Sequence, residues 1–299
     1  MTVHATSLQQ ERTEQSLPRW KRFPTYGYIA GAVNLTVWFF AWSRIDPWYR
    51  YSFFALWFSF ILFVDALVKA RRGTSLLTRA PAKFAQLFVF STLFWWLFEA
   101  FNIPVQNWHY VMDQPYTALQ FNLIATLNFT TVLPAVMEIA EFWTSFPRLR
   151  PRMPASFIGE RASEKTITRL IALGVACVIL PCVFPRQTFI LIWLSLALVL
   201  DPINNLIGRK SALAHLKARD WRFLLVLPLS GLTCGFFWEM WNSQSLPKWQ
   251  YTIPYVGFGK VFEMPILGYT GYLPFALELF AMYQFLLAFF GQRDDALAF

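Results

Sequence analysis

Charge is scarce in this sequence: only 14% of its 299 residues are Asp, Glu, Lys or Arg, where soluble domains carry about a quarter. That shortage excludes an ordinary water-soluble globule. Cysteine and histidine are nearly missing, with three of each. Cys177, Cys182 and Cys234 lie in apolar runs, and His4, His109 and His215 are scattered. A disulfide framework and a zinc cluster are therefore excluded. There is no GxGxxG, P-loop, HExxH or CxxC, so dinucleotide binding, nucleotide hydrolysis, zinc proteolysis and dithiol redox chemistry lack their residues. Asp-rich pairs with diphosphate-binding spacing are absent as well, which leaves magnesium-dependent prenyl transfer without support. No cofactor and no metal is expected. The polar N-terminal stretch, residues 1–23, lacks the apolar centre of a signal peptide and reads as a cytoplasmic tail.

Apolar mass is what the chain has: 56% hydrophobic residues, with 32 Phe, 14 Trp and 11 Tyr. That composition suits hydrocarbon as the surrounding solvent, with amphipathic rings at its two boundaries. Apolar runs long enough to span a bilayer lie near 25–43, 50–70, 84–101, 121–146, 166–184, 187–205, 222–241 and 268–290. The expected fold class is therefore all-α: a polytopic integral membrane protein with eight transmembrane helices. Pro134, Pro181 and Pro274 fall inside runs, as membrane helices tolerate.

The net charge of +9 invites comparison with nucleic-acid binders, but its distribution gives another explanation. All but five of the 26 basic residues fall in the tail, the loops after the second, fourth and sixth runs, and the C-terminus; the exceptions are Arg44, Arg50, Arg186, Lys248 and Lys260. By the positive-inside rule both termini are cytoplasmic. No nucleic-acid partner is expected, and a bacterial inner membrane is the default location because nothing resembles a transit peptide.

The chain also repeats itself. LFVDALVKARRGTSLL followed by WWLFEAFNIPVQNWHY matches LVLDPINNLIGRKSALAHL followed by FFWEMWNSQSLPKWQY. Asp65 then pairs with Asp201, Glu99 with Glu239, Asn102 with Asn242, Trp108 with Trp249, Tyr110 with Tyr251, and Glu138 with Glu278. Two halves with an even number of spans share one orientation. The expectation is two parallel four-helix repeats, 24–146 and 166–291, joined by a cytoplasmic linker, 147–165, and ending in a cytoplasmic tail, 292–299, with a cleft where the halves meet.

Carboxylates inside apolar runs cost on the order of 2.5–3.5 kcal/mol each at the bilayer centre. Asp65 and Asp201 precede basic clusters, which interfacial ion pairing accounts for. Glu99, Glu138, Glu239 and Glu278 have no basic partner at matching depth. Removal from water without a cation favours the neutral acid, and a neutral carboxylic acid can donate a proton. Asn102 and Asn242, three residues after Glu99 and Glu239, share a helical face with them and are candidate orienting amides. The structural alternative is that the acids only bond helices together, an interaction worth under about 1 kcal/mol in membranes. Trp108, Tyr110, Trp249 and Tyr251 fit an interfacial belt, but they cluster with the acids in WWLFEAFN, FFWEMWN, WHY and WQY. Aromatic faces stabilise cations by about 0.5–2 kcal/mol each, so an acid among rings suits carbocation chemistry. The Gly- and Pro-broken segment FEMPILGYTGYLPFALE reads as bordering the cleft, away from lipid.

At these residues the chain resembles the membrane lycopene cyclases, heterodimeric or fused carotenoid cyclases built from two similar multi-helix halves. The resemblance rests on Trp238-Glu239, Trp249-Gln250-Tyr251 and Gly271-Tyr272-Leu273-Pro274 leading to Glu278, and on Phe98-Glu99, Trp108-His109-Tyr110 and Pro134 to Glu138. It covers helices three, four, seven and eight, about half the chain. It implies metal-free, acid-initiated cyclisation or isomerisation of an isoprenoid or carotenoid-like polyene. Catalytic candidates are Glu278 as proton donor, with Glu239, Asn242, Glu138 and Glu99; Trp238, Trp249, Tyr251, Tyr272, Trp108 and Tyr110 would line the substrate pocket. The expected partners are an apolar isoprenoid or lipid substrate and membrane lipid. A non-enzymatic lipid or isoprenoid transporter, or a membrane subunit of a larger complex, stays open as the alternative, as does a homo-oligomer.

Overall fold

A computed structural model describes residues 23–299; the expected tail, 1–23, lies outside the described residues apart from Phe23. The described chain is mostly helical. Its long helices are α1 (Thr25–Trp42) and α2 (Ser52–Arg72), then, after the short α3 (Leu76–Arg79), α4 (Pro81–Val105). Strand β1 (Trp108–Val111) leads to α5 (Ala118–Phe129) and α6 (Val132–Thr144). The second part has α7 (Glu164–Val183), the short α8 (Pro185–Thr188), α9 (Ile192–Leu206), the short α10 (Ala212–Lys217) and α11 (Trp221–Asn242). Strand β2 (Lys248–Tyr251), the small hairpin of β3 (Lys260–Val261) and β4 (Met264–Pro265), a 3-10 turn and α12 (Tyr272–Phe289) complete it.

Among the described residues, seven helical segments are long and apolar enough to cross a membrane: Trp48–Arg72, Pro81–Val105, Ala118–Thr144, Glu164–Val183, Pro185–Leu206, Trp221–Asn242 and Ile266–Phe289. The protein is membrane-integral on that footing. The eighth expected span, α1, falls outside this set because Tyr26, Tyr28, Asn34, Trp38 and Trp42 dilute its apolar residues. It nevertheless packs along α2, and Asn34 donates to the Leu56 carbonyl at 2.8 Å and to Ser59 Oγ at 3.1 Å, the polar bonding that joins helices in lipid. Its outer face leaves Ile29, Leu35 and Phe39 exposed.

The apolar run 121–146 is two helices. Pro134 sits in the first turn of α6, where its missing N–H costs nothing. The break leaves backbone groups that lipid cannot satisfy. Ser91 of α4 supplies the partner, donating to the Phe129 carbonyl at 2.5 Å and accepting from the Leu133 amide at 2.9 Å. Pro274 holds the same position in α12, after the 3-10 turn Ile266–Gly271. There α11 comes close through Gly231 and Gly235: a Cβ on Gly231 would lie 2.2 Å from the Tyr272 carbonyl oxygen, and one on Gly235 would lie 2.2 Å from the Tyr272 ring. This small-xxx-small spacing lets two helix backbones approach.

One end of the bundle carries the loops after α2, α6 and α9. Asp65 and Asp201 lie there, and the structure corrects the ion-pair expectation for both. Asp65 accepts from Ser75 Oγ at 2.8 Å, the Leu77 amide at 2.9 Å and the Tyr26 hydroxyl at 2.5 Å. Asp201 accepts from the Ala212 and Leu213 amides at 2.7 and 2.8 Å. Each carboxylate thus holds the first turn of the short helix that follows its own, filling donors that a helix start leaves open. The expected tail 292–299 is not free either. Ala296, Leu297 and Phe299 are buried, Arg79 donates to the Ala296 carbonyl at 2.6 Å, and the Ala298 amide donates to Glu141 at 3.0 Å.

At the same end Asp220 accepts from the Arg152 and Met153 amides at 3.0 Å and bonds His215 Nδ1 at 3.1 Å. The imidazole stacks on Phe223 with centroids 3.7 Å apart. Burial pushes His215 down from its ordinary value, against the opposing pull of Asp220. Burial pushes Asp220 up, but those two amides and His215 outweigh it and hold the carboxyl below the usual range. Both groups therefore give stability at neutral pH that acid removes: His215 from about pH 6.5 downward, Asp220 from about pH 3.9. The thermal midpoint of the detergent-solubilised protein is expected to fall as pH drops from 7 to 5, and His215→Gln is expected to flatten that fall.

Candidate functional site

At the opposite end, β1 and β2 pair antiparallel, with Trp108 opposite Tyr251 and Tyr110 opposite Trp249. What holds each strand is an asparagine. Asn102, at the end of α4, donates to the Trp108 carbonyl at 2.8 Å and accepts from the Asn107 amide at 2.8 Å. Asn242, at the end of α11, donates to the Trp249 carbonyl at 2.8 Å and accepts from the Trp249 amide at 2.9 Å. The expectation that these amides orient Glu99 and Glu239 is thereby corrected. A helix end leaves unpaired backbone, and a strand in a membrane cannot leave its own unpaired. The amides are consumed by that need.

The glutamates are served by the strands. Glu239 is fully buried; its Oε1 accepts from the Tyr272 hydroxyl at 2.5 Å and the Tyr251 hydroxyl at 2.7 Å. Trp249 Nε1 donates to the Tyr251 oxygen at 2.8 Å. The second carboxyl oxygen, Oε2, has no hydrogen-bond partner. Glu99 is half-buried, and its Oε1 accepts from Tyr110 at 2.6 Å and from the indoles of Trp95 and Trp108 at 3.1 Å. Burial first, then the adjacent carboxyl, pushes the phenols of Tyr110 and Tyr251 well above their ordinary value, so both stay protonated hydroxyls.

Between these two clusters lies a cleft of about 800 Å³, open mouth included. Trp108, Tyr110, Trp238, Trp249, Tyr251 and Tyr272 all line it; these are the six aromatic residues that the sequence proposed as a pocket. Trp95, Phe129 and Trp193 add to the same wall. Residues from both parts of the chain thus face one largely apolar space, whose polar lining includes Asn128 and the tyrosines and tryptophans around Glu99 and Glu239.

Glu278 and Glu138 stand elsewhere. Glu278 is fully buried between α12 and α9 and accepts from the Leu196 amide at 2.9 Å, its second oxygen unpartnered; it is not among the residues lining the cleft. Glu138 is buried on α6 with its carboxyl against that of Asp65, a contact that one shared proton turns into a hydrogen bond. Its neighbour Glu141 is paired with Arg79 at 2.5 Å. The residues that the sequence reading missed are Gly231 and Gly235, which seat Tyr272 against Glu239, and their GxxxG spacing was the signal. Ser91 and Asn107 carried no signal of their own.

No family model, curated protein or solved structure matches the chain.

Proposed function

We propose that the protein is a membrane-embedded acid catalyst that cyclises or isomerises an isoprenoid, carotenoid-like polyene, related to the membrane lycopene cyclases it resembles. The observation that carries this reading is Glu239. It is a buried carboxyl whose Oε1 takes two tyrosine hydroxyls and whose Oε2 takes nothing, behind an aromatic wall and, among the described residues, with no cation bonded to it. A neutral acid fits that pattern, since the carbonyl oxygen accepts and the hydroxyl oxygen holds the proton.

Tyr251 and Tyr272 line the cleft and touch the carboxyl, so they form the route between them. Both hydroxyls donate to Oε1 at rest, so the transfer needs the carboxylic proton on that oxygen and one hydroxyl turned to accept it. As the carboxyl then passes its proton to that tyrosine oxygen, the hydroxyl's own proton goes to an alkene carbon. Heavy-atom separations of 2.5 and 2.7 Å suit such a transfer. The alkene π pair becomes the new C–H bond, and the neighbouring carbon is left cationic. A second π pair closes the C–C bond in a cyclisation, the rings of Trp238, Trp249 and Trp108 stabilise the charge, and loss of a proton from an adjacent carbon regenerates the acid. The product is an isomer of the substrate. Glu239 replaces Glu278 as the proposed donor: neither carboxyl lines the cleft itself, but Glu239 bonds two tyrosines that do, whereas Glu278 accepts from helix backbone; Glu99 with Tyr110 is the corresponding acid across the cleft.

The same reading includes an eight-span architecture with α1 as the first span, and two parallel four-helix halves, 24–146 and 166–291. Three recurrences support it: Asp65 and Asp201 each cap the next short helix, Asn102 and Asn242 each hold the next strand, and β1 pairs with β2 in a two-fold register. By the positive-inside rule both termini lie on the cytoplasmic side in this reading, and a bacterial inner membrane is its default location.

The test is to incubate membranes containing the protein with acyclic polyenes and to analyse the apolar extract. A product of unchanged mass and altered retention, absent from control membranes, is expected. Binding without any conversion would instead favour the carrier reading.

A further inference from the structure

A second cavity adjoins the aromatic cleft. It spans about 1060 Å³, much of it counted through an open mouth, and shares Trp95, Trp193, Tyr251 and Tyr272 with the first, so one wall separates the two spaces. Its remaining lining is almost wholly apolar, from Phe189 and Ile190 before α9 to Met264 and Leu267 of the broken segment before α12.

The exception is Asn107. It is 2% exposed, it lines this cavity, and neither its Oδ1 nor its Nδ2 has a hydrogen-bond partner. Its backbone explains why the residue is fixed there. The Asn107 amide donates to Asn102 Oδ1 at 2.8 Å and its carbonyl accepts from the Thr252 amide at 2.8 Å. The main chain is spoken for and the side chain is not. A buried carboxamide left wholly unpaired is destabilising by about 1–3 kcal/mol, so a group that enters the cavity and bonds it is favoured by a comparable amount.

The chemistry of that group is constrained. Asn107 offers both donor and acceptor, and a hydroxyl satisfies both at once, donating to Oδ1 and accepting from Nδ2. A ketone or an ether leaves Oδ1 unpaired. A carboxylate or phosphate would bring a charge into a cavity whose lining includes no Lys or Arg, at a desolvation cost that nothing offsets. The aliphatic hydroxyl in that lining, Thr270, already donates to the Leu267 carbonyl at 2.6 Å.

We infer that this cavity is a binding site for the hydroxyl end of a long apolar alcohol, with Asn107 as its recognition residue and the hydrocarbon body running along the shared wall toward the aromatic cleft. The inference takes from the reading above only the apolar occupant; it needs no acid chemistry.

The probe is retinol against retinyl methyl ether, the same polyene with its donor removed. Energy transfer from protein tryptophan to the bound polyene reads occupancy in the purified full-length chain, since Trp95 and Trp193 line the site. Retinol is expected to bind about tenfold more tightly than the ether, the size of one neutral hydrogen-bond pair. Asn107→Leu is expected to bring the two affinities to within about twofold, while Glu239→Gln keeps the preference. Equal affinity of both ligands for the unaltered protein overturns the inference and needs no variant to fold; so does binding of neither, or a preference that survives Asn107→Leu. The two ideas separate cleanly: a preference for the alcohol without polyene conversion sinks the acid reading alone, and conversion without the preference sinks this one alone.

Discussion

Glu239→Gln is expected to lower the rate of polyene conversion by roughly 10²–10⁴-fold, the contribution of a positioned general acid, while the protein still purifies with its ordinary thermal midpoint. Glutamine keeps the carbonyl oxygen that accepts from Tyr251 and Tyr272 but has no proton to give at physiological pH. Glu278→Gln is the matched comparison. That carboxyl accepts from the Leu196 amide, a glutamine oxygen can do the same, and conversion is expected to stay within a few fold of the unaltered protein. The reverse pattern, with Glu278→Gln inactive and Glu239→Gln active, would return the donor role to Glu278. Rates are read as isomeric product per unit protein in the apolar extract.

The second large effect is structural. Gly231→Ala is expected to destabilise the protein by about 1–3 kcal/mol, the usual cost of overpacking, seen as a lowered thermal midpoint in detergent. The added methyl would meet the Tyr272 carbonyl at 2.2 Å and the Ala276 Cβ at 2.9 Å. The carbonyl is backbone, so trimming the side chain opposite does not make room, and Gly231→Ala with Ala276→Gly is expected to recover little. Gly235→Ala meets the Tyr272 ring first, side chain rather than backbone. It is expected to cost less stability but to displace the hydroxyl from Glu239, and so to lower conversion. A Gly231→Ala protein with an unchanged midpoint would contradict the close approach of α11 and α12.

Much of this was legible in the sequence, and the failures share a cause. Apolar run length located the long helices because membrane helices must be long and continuous. The six cleft aromatics were found because they cluster with acids in two matching segments, a pattern that interfacial belts alone do not require. Asn102 and Asn242 were assigned to the wrong partner. Helical spacing identifies which residues share a face, but it does not reveal that a following strand needs its backbone bonded first. Asp65 and Asp201 were read as ion pairs for a similar reason: nearby Lys and Arg are visible in sequence, whereas the bare amides of a short helix eleven or twelve residues on are not. Glu278 was grouped with Glu239 because both are unpaired acids in the second half. Only the packing of α12 on α9 sets Glu278 against the Leu196 amide. The segment 292–299, in which Ala296, Leu297 and Phe299 are buried, was taken as a tail because its few residues carry no periodicity.

Solvent deuterium tests the central claim most directly. If Glu239 begins the reaction by protonating an alkene through Tyr251 and Tyr272, conversion in heavy water yields an isomer with one deuterium at the protonated carbon, and no such product forms with Glu239→Gln. An isomer that forms at full rate without solvent deuterium would contradict it.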